Sequence, residues 1–235
     1  MVKANAFYAQ SGGVTAVINA TACGVLQTAA EHKDVIGKVL VGANGIVGAL
    51  NEELIDASKE SKRAIAGLRS TPGGAFGSCR YKLKPYAEDP REYHRLIEVF
   101  QAHNIRYFFY NGGGDSQDTA NKVSQLGARL GYPLQCIGVP KTVDNDVFPI
   151  SQTLGAWTAA EQSAHFFENL ANDNTTSTRQ LIIHEVMGRH CGWLTAAAAR
   201  DYRERLDGYR SVSYTHLRAH ETDSYLVCRR LLEKK

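Results

Sequence analysis

Arg106-Tyr107-Phe108-Phe109-Tyr110-Asn111-Gly112-Gly113-Gly114-Asp115-Ser116 decides the fold of this 235-residue chain. Arg106 to Tyr110 reads as a strand. Asn111 and three glycines end it, and the amphipathic segment Ser116 to Leu130 reads as a helix. Asp115 or Ser116 supplies the expected N-cap, and Asp118 lies in the first turn, where the helix dipole favours an acid. A strand, a glycine turn and a helix form the unit from which parallel sheets are wound.

The same rhythm extends in both directions. Upstream, Ala4 to Ala9 predicts a strand, Ser11-Gly12-Gly13 a tight turn, and Thr15 to Glu31 a helix. Lys38 to Val41 predicts a second strand. Lys59 to Leu68 looks helical until Ser70-Thr71-Pro72-Gly73-Gly74 stops it. Pro90 to His103 suits a helix with proline in its first turn. Downstream, Leu134 to Val139 predicts a buried strand, Trp157 to Leu170 a helix, Gln180 to Val186 a strand and Gly192 to Arg200 an alanine-rich helix. The alternation predicts an α/β fold with a doubly wound, mostly parallel sheet, in which ligands bind at the carboxyl ends of the strands. Three polar or glycine-rich loops follow strands, so they should gather on one edge.

Composition narrows the function. Hydrophobic content of 43% and charged content of 22% fit a globular domain, and the net charge of +3 gives little reason to expect nucleic acid. No apolar run reaches the length of a membrane span, and Met1 to Asn5 leads into a strand without a signal-peptide core. Cys23, Cys79, Cys136, Cys191 and Cys228 are scattered and lack CxxC spacing, as expected of reduced cytoplasmic thiols.

The loop with most chemistry is Pro140-Lys141-Thr142-Val143-Asp144-Asn145-Asp146. A cation, a hydroxyl and two carboxylates on one strand end are what phosphoryl transfer needs. In extended chain Asp144 and Asp146 would point the same way, one acting as base and the other holding metal or orienting a basic residue. The competing reading is a local turn in which Asp144 and Asn145 bond the backbone. Ser11-Gly12-Gly13 and Gly112-Gly113-Gly114-Asp115-Ser116 offer backbone N–H groups to phosphate, or are simply tight turns. Asp115 could cap its helix or hold Mg²⁺ through water. Arg80, after the glycine loop Gly73 to Gly77, could fork onto phosphate oxygens or lie solvated. Glu185, Arg189 and His190 follow the later strand. Tyr202 to Arg210 reads as a solvated helical face.

Taken together, Ser11-Gly12-Gly13, Gly77-Ser78-Cys79-Arg80, Gly112 to Ser116, Pro140 to Asp146 and Met187-Gly188-Arg189 resemble the phosphofructokinase family, from Lys3 to about Tyr209. The resemblance implies a Rossmann-like sheet, Mg²⁺ as cofactor, and a homo-oligomer at full length. It implies Asp144 as the general base toward the C1 hydroxyl of fructose 6-phosphate. Thr142, Val143, Asp146, Met187, Gly188 and Arg189 are then the sugar-phosphate contacts. Gly12, Gly13, Arg80, Gly113, Gly114 and Ser116 are the donor contacts. ATP-using relatives carry glycine at the positions of Lys141 and Asp115, whereas pyrophosphate-using relatives carry lysine and aspartate. Pyrophosphate is therefore the expected donor, with Lys141 neutralising the transferring group and Asp115 disfavouring ATP. Gly114 departs from the family's Asp or Asn, a position associated with Mg²⁺, so metal binding is expected to lean on Asp115, Asp144, Asp146 and the donor's own oxygens, or to be weakened.

The resemblance divides the chain into a donor domain with its catalytic loop, 1–150, and the start of a sugar-phosphate-binding domain, 151–210, left incomplete because family members are longer. Residues 211–235 lack clean periodicity and resemble translated sequencing adaptor. The native sequence is expected to stop near Tyr209 or Arg210; a divergent surface helix is the alternative. Other readings are an ATP-dependent phosphofructokinase, a kinase of the wider superfamily with a Gly-Gly-Asp loop, and an inactive phosphosugar-binding paralogue or fragment.

Overall fold

A computed structural model describes residues 3–174, 181–188 and 192–210. The expected foreign tail, together with Arg189, His190 and Cys191, lies outside the described residues. The chain forms two compact units that divide between Thr142 and Val143.

The first unit is a five-stranded sheet in the order β3-β2-β1-β4-β5: β1 Ala4–Gln10, β2 Ile36–Gly42, β3 Leu54–Asp56, β4 Ile105–Gly112 and β5 Gln135–Pro140. Every pairing is parallel except β2 with β3. The order arises because the chain winds outward from β1 to β2 and then returns to the other side of β1 as β4. Crossovers leave from both sides of β1, so the ends of β1 and β4 form the switch point where such sheets bind ligands.

Strand alternation sends side chains to both faces, and both are covered. Phe7, Ala9, Phe108 and Tyr110 pack with helices α2 (Ile46–Leu50), α4 (Arg91–Ala102) and α5 (Gly114–Arg129). Tyr93, Leu96, Ile97 and Phe100 of α4 recur at helical spacing and form the apolar stripe that makes this segment a helix. On the other face Ala6, Tyr8, Val39 and Val41 pack against Ala22 and Leu26 of α1 (Ile18–Glu31), with Ile65 of α3 (Lys62–Gly67) at the margin.

The predicted strands and helices of this unit are present, with two corrections. Strand β5 is not buried: it is the sheet edge, and Ile137 is 43% exposed. Helix α5 begins at Gly114, with Gly113 as its N-cap and no side-chain capping bond. Asp115 therefore lies inside the first turn and does not cap it.

The second unit starts with the loop from Val143 and continues into α6 (Ala156–Asn174) and α7 (Trp193–Arg210). Ala156, Ala160, Ala164, Phe167 and Ala171 form the buried stripe of α6, and Phe167 meets Tyr202 of α7 edge to face at 4.8 Å. The strand expected from Gln180 to Val186 is not formed over the described part, 181–186. Leu181 and Ile183 remain 73% and 64% exposed, and no strand pairs with this segment among the described residues.

Candidate active site

Three strand ends of the first unit meet through backbone hydrogen bonds. Gln10 of β1 sits opposite Asn111 of β4, and Ser11 N–H donates to Asn111 C=O at 2.8 Å. Pro140 of β5 sits opposite Gly112, and Lys141 N–H donates to Gly112 C=O at 2.9 Å. The register of the sheet thus delivers Ser11-Gly12-Gly13, Gly112-Gly113-Gly114 and Lys141 to one place. Below them the amides of Gln10 and Asn111 donate to the buried Tyr8 hydroxyl at 3.2 and 2.9 Å. The Tyr110 hydroxyl bonds the Ser11 and Ser116 side chains, and burial pushes its pKa up to about 12, so it stays neutral.

A fourth strand of chain closes the cradle. Cys79 bridges Ser11 in parallel, Gly12 N–H donates to Cys79 C=O at 2.9 Å, and the Ser78 hydroxyl donates to Gly12 C=O at 2.8 Å. These bonds carry Arg80 to Gly13: a Cβ on Gly13 would lie 2.9 Å from Arg80 Nη2. Gly12, at φ +81°, is in a conformation that side chains disfavour, and a Cβ there would touch Lys141 Nζ at 3.4 Å. Both glycines let cations approach the backbone closely.

Lys141 is 5% exposed and its ammonium donates to Gly13 C=O. Burial, and secondarily the positive Arg80, hold its pKa below the ordinary lysine value. No carboxylate pairs with it among the described residues. A desolvated cation beside a second cation, under the N-terminus of a sixteen-residue helix, is an arrangement short of negative charge. Such an arrangement favours an anion, which the backbone N–H groups of glycine turns and a helix N-terminus can bind.

The first turn of α5 presents Gly114, Asp115 and the buried Ser116. Asp115 is exposed and pairs with Lys82 at 2.9 Å. Gly114 has nothing within 4 Å of a notional Cβ, so no crowding demands glycine there. Among the described residues no group of three His, Cys, Asp or Glu side chains is gathered to hold a metal ion.

The other predicted residues lie partly on Lys141's strand end and partly in the second unit. Thr142 ends the first unit, and Val143, Asp144 and Asp146 begin the second. The extended geometry expected for Asp144 and Asp146 is corrected: Val143 and Asp144 form a turn and Asn145 is left-handed, at φ +52°. Asn145 holds the loop, accepting from Thr153 N–H at 2.7 Å and Thr153 Oγ1 at 3.0 Å and donating to Ser151 C=O at 3.0 Å. The local-turn reading was right that Asn145 bonds the backbone. Met187 is 69% exposed, Gly188 has φ +141°, and their neighbour Arg189 lies outside the described residues.

Sequence reading missed roles for Lys82 and Tyr110, and it offered Ser78 only within a motif and Asn145 only as a turn residue. For Lys82 a signal existed in the basic alternation Arg80, Lys82, Lys84. Tyr110 reads as an ordinary strand aromatic, and only the fold shows its hydroxyl between two serines.

Comparisons with known proteins agree with this geometry. The sequence pattern of the phosphofructokinase family matches residues 5–201. A pyrophosphate–fructose 6-phosphate 1-phosphotransferase of Halomonas elongata is 58% identical over 203 residues, which cover 85% of this chain and 48% of that protein. The enzyme of that name from Methylococcus capsulatus is 58% identical over 213 residues, covering 88% and 50%. The crystal structure of a pyrophosphate-dependent phosphofructokinase from Marinobacter aquaeolei superposes with a TM-score of 0.77 at 61% identity, over 85% of this chain and 50% of that one. Phosphofructokinase from Saccharomyces cerevisiae, at 23% identity and a TM-score of 0.70, shares the fold. The chain spans about half the length of the curated relatives it matches.

Proposed function

The chain belongs to the phosphofructokinase family, and on that premise we propose that the whole protein moves a phosphoryl group from pyrophosphate to the C1 hydroxyl of fructose 6-phosphate. The products are fructose 1,6-bisphosphate and phosphate. The observation that carries the choice of donor is the buried Lys141 ammonium, bonded to Gly13 beside Arg80 and without a carboxylate partner among the described residues. It neutralises charge on the transferring group and on the phosphate that leaves. Asp115, in the first turn of α5, adds negative charge where a nucleotide would place its α-phosphate, and so disfavours ATP. Gly12, Gly13, Gly113, Gly114 and Ser116 offer backbone or hydroxyl groups to the donor.

In this reading Asp144 is the base that takes the C1 hydroxyl proton, a role worth about a hundred- to ten-thousand-fold. Thr142, Val143, Asp146, Met187, Gly188 and Arg189 contact the sugar phosphate. Where Mg²⁺ accompanies the donor, Asp115, Asp144 and Asp146 would be the carboxylates offered to it, and the ion would neutralise charge on the phosphoryl group. Domain bounds of 1–150 and 151–210, a homo-oligomer at full length and a cytoplasmic setting complete the proposal. The free thiols Cys23, Cys79 and Cys136 support the last. No helix among the described residues is long and apolar enough to cross a membrane.

Turnover of fructose 6-phosphate by a protein of the relatives' full length carrying this segment tests the donor. Pyrophosphate should support a kcat/KM at least a hundredfold above that for ATP; faster turnover with ATP would refute the reading.

A further inference from the structure

Lys82 belongs to none of the roles above, yet it stands at the rim of the donor cradle. It follows Arg80 by two residues on the segment fixed to β1 by the Ser11–Cys79 bridge and the Ser78 and Gly12 hydrogen bonds. From that anchored base its ammonium reaches the first turn of α5 and meets Asp115 Oδ1 at 2.9 Å. The pair thus links the two pieces of chain that frame the cradle. Its floor is Lys141, Gly12 and Gly13.

The two ends of this pair are 70% and 76% exposed. An ion pair so wet holds its partners weakly. A polyphosphate anion offers a lysine more charge and more acceptor oxygens than one carboxylate does. The cradle itself supplies two cations, Lys141 and Arg80, whereas pyrophosphate carries more than two negative charges near neutral pH. Lys82, a flexible cation already at the rim, can add to the charge that Lys141, Arg80 and any accompanying Mg²⁺ offer the donor.

Resting on the reading of the cradle as a pyrophosphate site, we propose that Lys82 is a donor-binding residue that exchanges partners. In the empty site it neutralises Asp115. When pyrophosphate enters, the ammonium leaves the carboxylate for the donor's outer phosphate oxygens, and Asp115 is released with its full charge. The exchange couples occupancy by donor to the charge that Asp115 presents.

Calorimetric titration of this chain with inorganic pyrophosphate tests the exchange, using wild type, Lys82→Gln, Asp115→Asn and the double variant. Lys82→Gln should weaken binding roughly tenfold, the loss of one charge-assisted contact less the weak pair it replaces. Lys82→Arg should stay within about threefold of wild type, because the charge remains. Asp115→Asn frees Lys82, so it should tighten binding, and by at least roughly threefold more in the Lys82 background than in the Lys82→Gln background. Thermal unfolding should be unchanged in Lys82→Gln, since the side chain is exposed. Equal binding by wild type and Lys82→Gln, or equal gains from Asp115→Asn in both backgrounds, would overturn the exchange and leave the pyrophosphate site standing. Absence of pyrophosphate binding by the folded wild-type chain would instead bring down the site reading and the exchange with it.

Discussion

Lys141 and Asp144 are three residues apart, yet the means that hold them differ. Lys141 is fixed by the sheet: β5 pairs with β4 up to Pro140 and Gly112, the next N–H bonds Gly112, and the side chain bonds Gly13. Past Thr142 the chain leaves the sheet, and the loop with Asp144 and Asp146 is held by Asn145, a left-handed residue with three side-chain hydrogen bonds. Sheet register is a cooperative property of many residues, so no single substitution outside the cradle should displace the cation. In the acidic loop a single side chain, Asn145, makes three of the hydrogen bonds that hold it. Donor binding should therefore be robust, and proton abstraction fragile.

The sharpest way to break this comparison is Lys141→Met. The substitution removes the charge but keeps length and an apolar stem, so turnover with pyrophosphate should fall about 10²- to 10³-fold, as for a preorganised electrostatic group. Stability should change little, because a desolvated cation without a carboxylate partner contributes weakly to folding. The pH dependence follows from the depressed pKa. The ammonium is present below that value and is lost as pH rises through it, before an ordinary lysine at 10.5 would titrate. Turnover should thus decline on the alkaline side in wild type. Between the depressed value and 10.5 the unfolded chain binds more protons than the native one, so this group's contribution to stability rises with pH across that window. A flat alkaline limb in wild type, or full turnover in Lys141→Met, would remove Lys141 from the chemistry.

Asn145→Ala probes the other side of the comparison. Alanine loses the bonds to Ser151 and Thr153 and dislikes φ +52°, at a cost of about 1–2 kcal/mol for the conformation alone. With the loop loosened, kcat should fall by roughly one to two powers of ten, since small misplacement of a reacting group is costly. Pyrophosphate affinity should stay within about twofold, because the cradle residues are set by the sheet. Asn145→Gly keeps the conformation and loses the bonds, so it should fall between wild type and alanine. Equal losses of donor affinity and turnover would show that loop and cradle are one mechanical unit.

The sheet was legible in the sequence because short apolar runs and glycine turns alternate with amphipathic helical segments, and those signals are local. Ser11 to Gly13, Gly112 to Ser116 and Lys141 were legible for the same reason, since each ends a strand. Asn145 was seen only as one of two residues suited to a turn; its partners Ser151 and Thr153 are chosen by loop shape, which leaves no periodic trace. The strand expected at 181–186 shows the opposite failure. Its apolar run Leu181 to Ile183 suits a strand, but a strand needs a neighbour, and among the described residues none pairs with it. Lys82 escaped because one lysine beside an arginine resembles any solvated basic run until the fold brings Asp115 to it.

The smallest expected effects separate the glycines of the donor loop from one another. A Cβ on Gly112 would lie 2.5 Å from Ser116 Cβ and 3.0 Å from Ser11 Cβ, where β4, β1 and the start of α5 converge. Neither neighbour can retreat without moving its backbone, so Gly112→Ala should cost about 1–3 kcal/mol as overpacking. Gly114, two residues on, faces open space and is already helical. Gly114→Ala should be neutral or stabilising by up to about 1 kcal/mol, the helix propensity gained. Denaturant unfolding of the two variants measures the difference directly. Similar losses in both would mean that the loop tolerates no side chain anywhere, whereas the predicted split assigns Gly112 to packing and leaves Gly114 free for a residue that touches the donor.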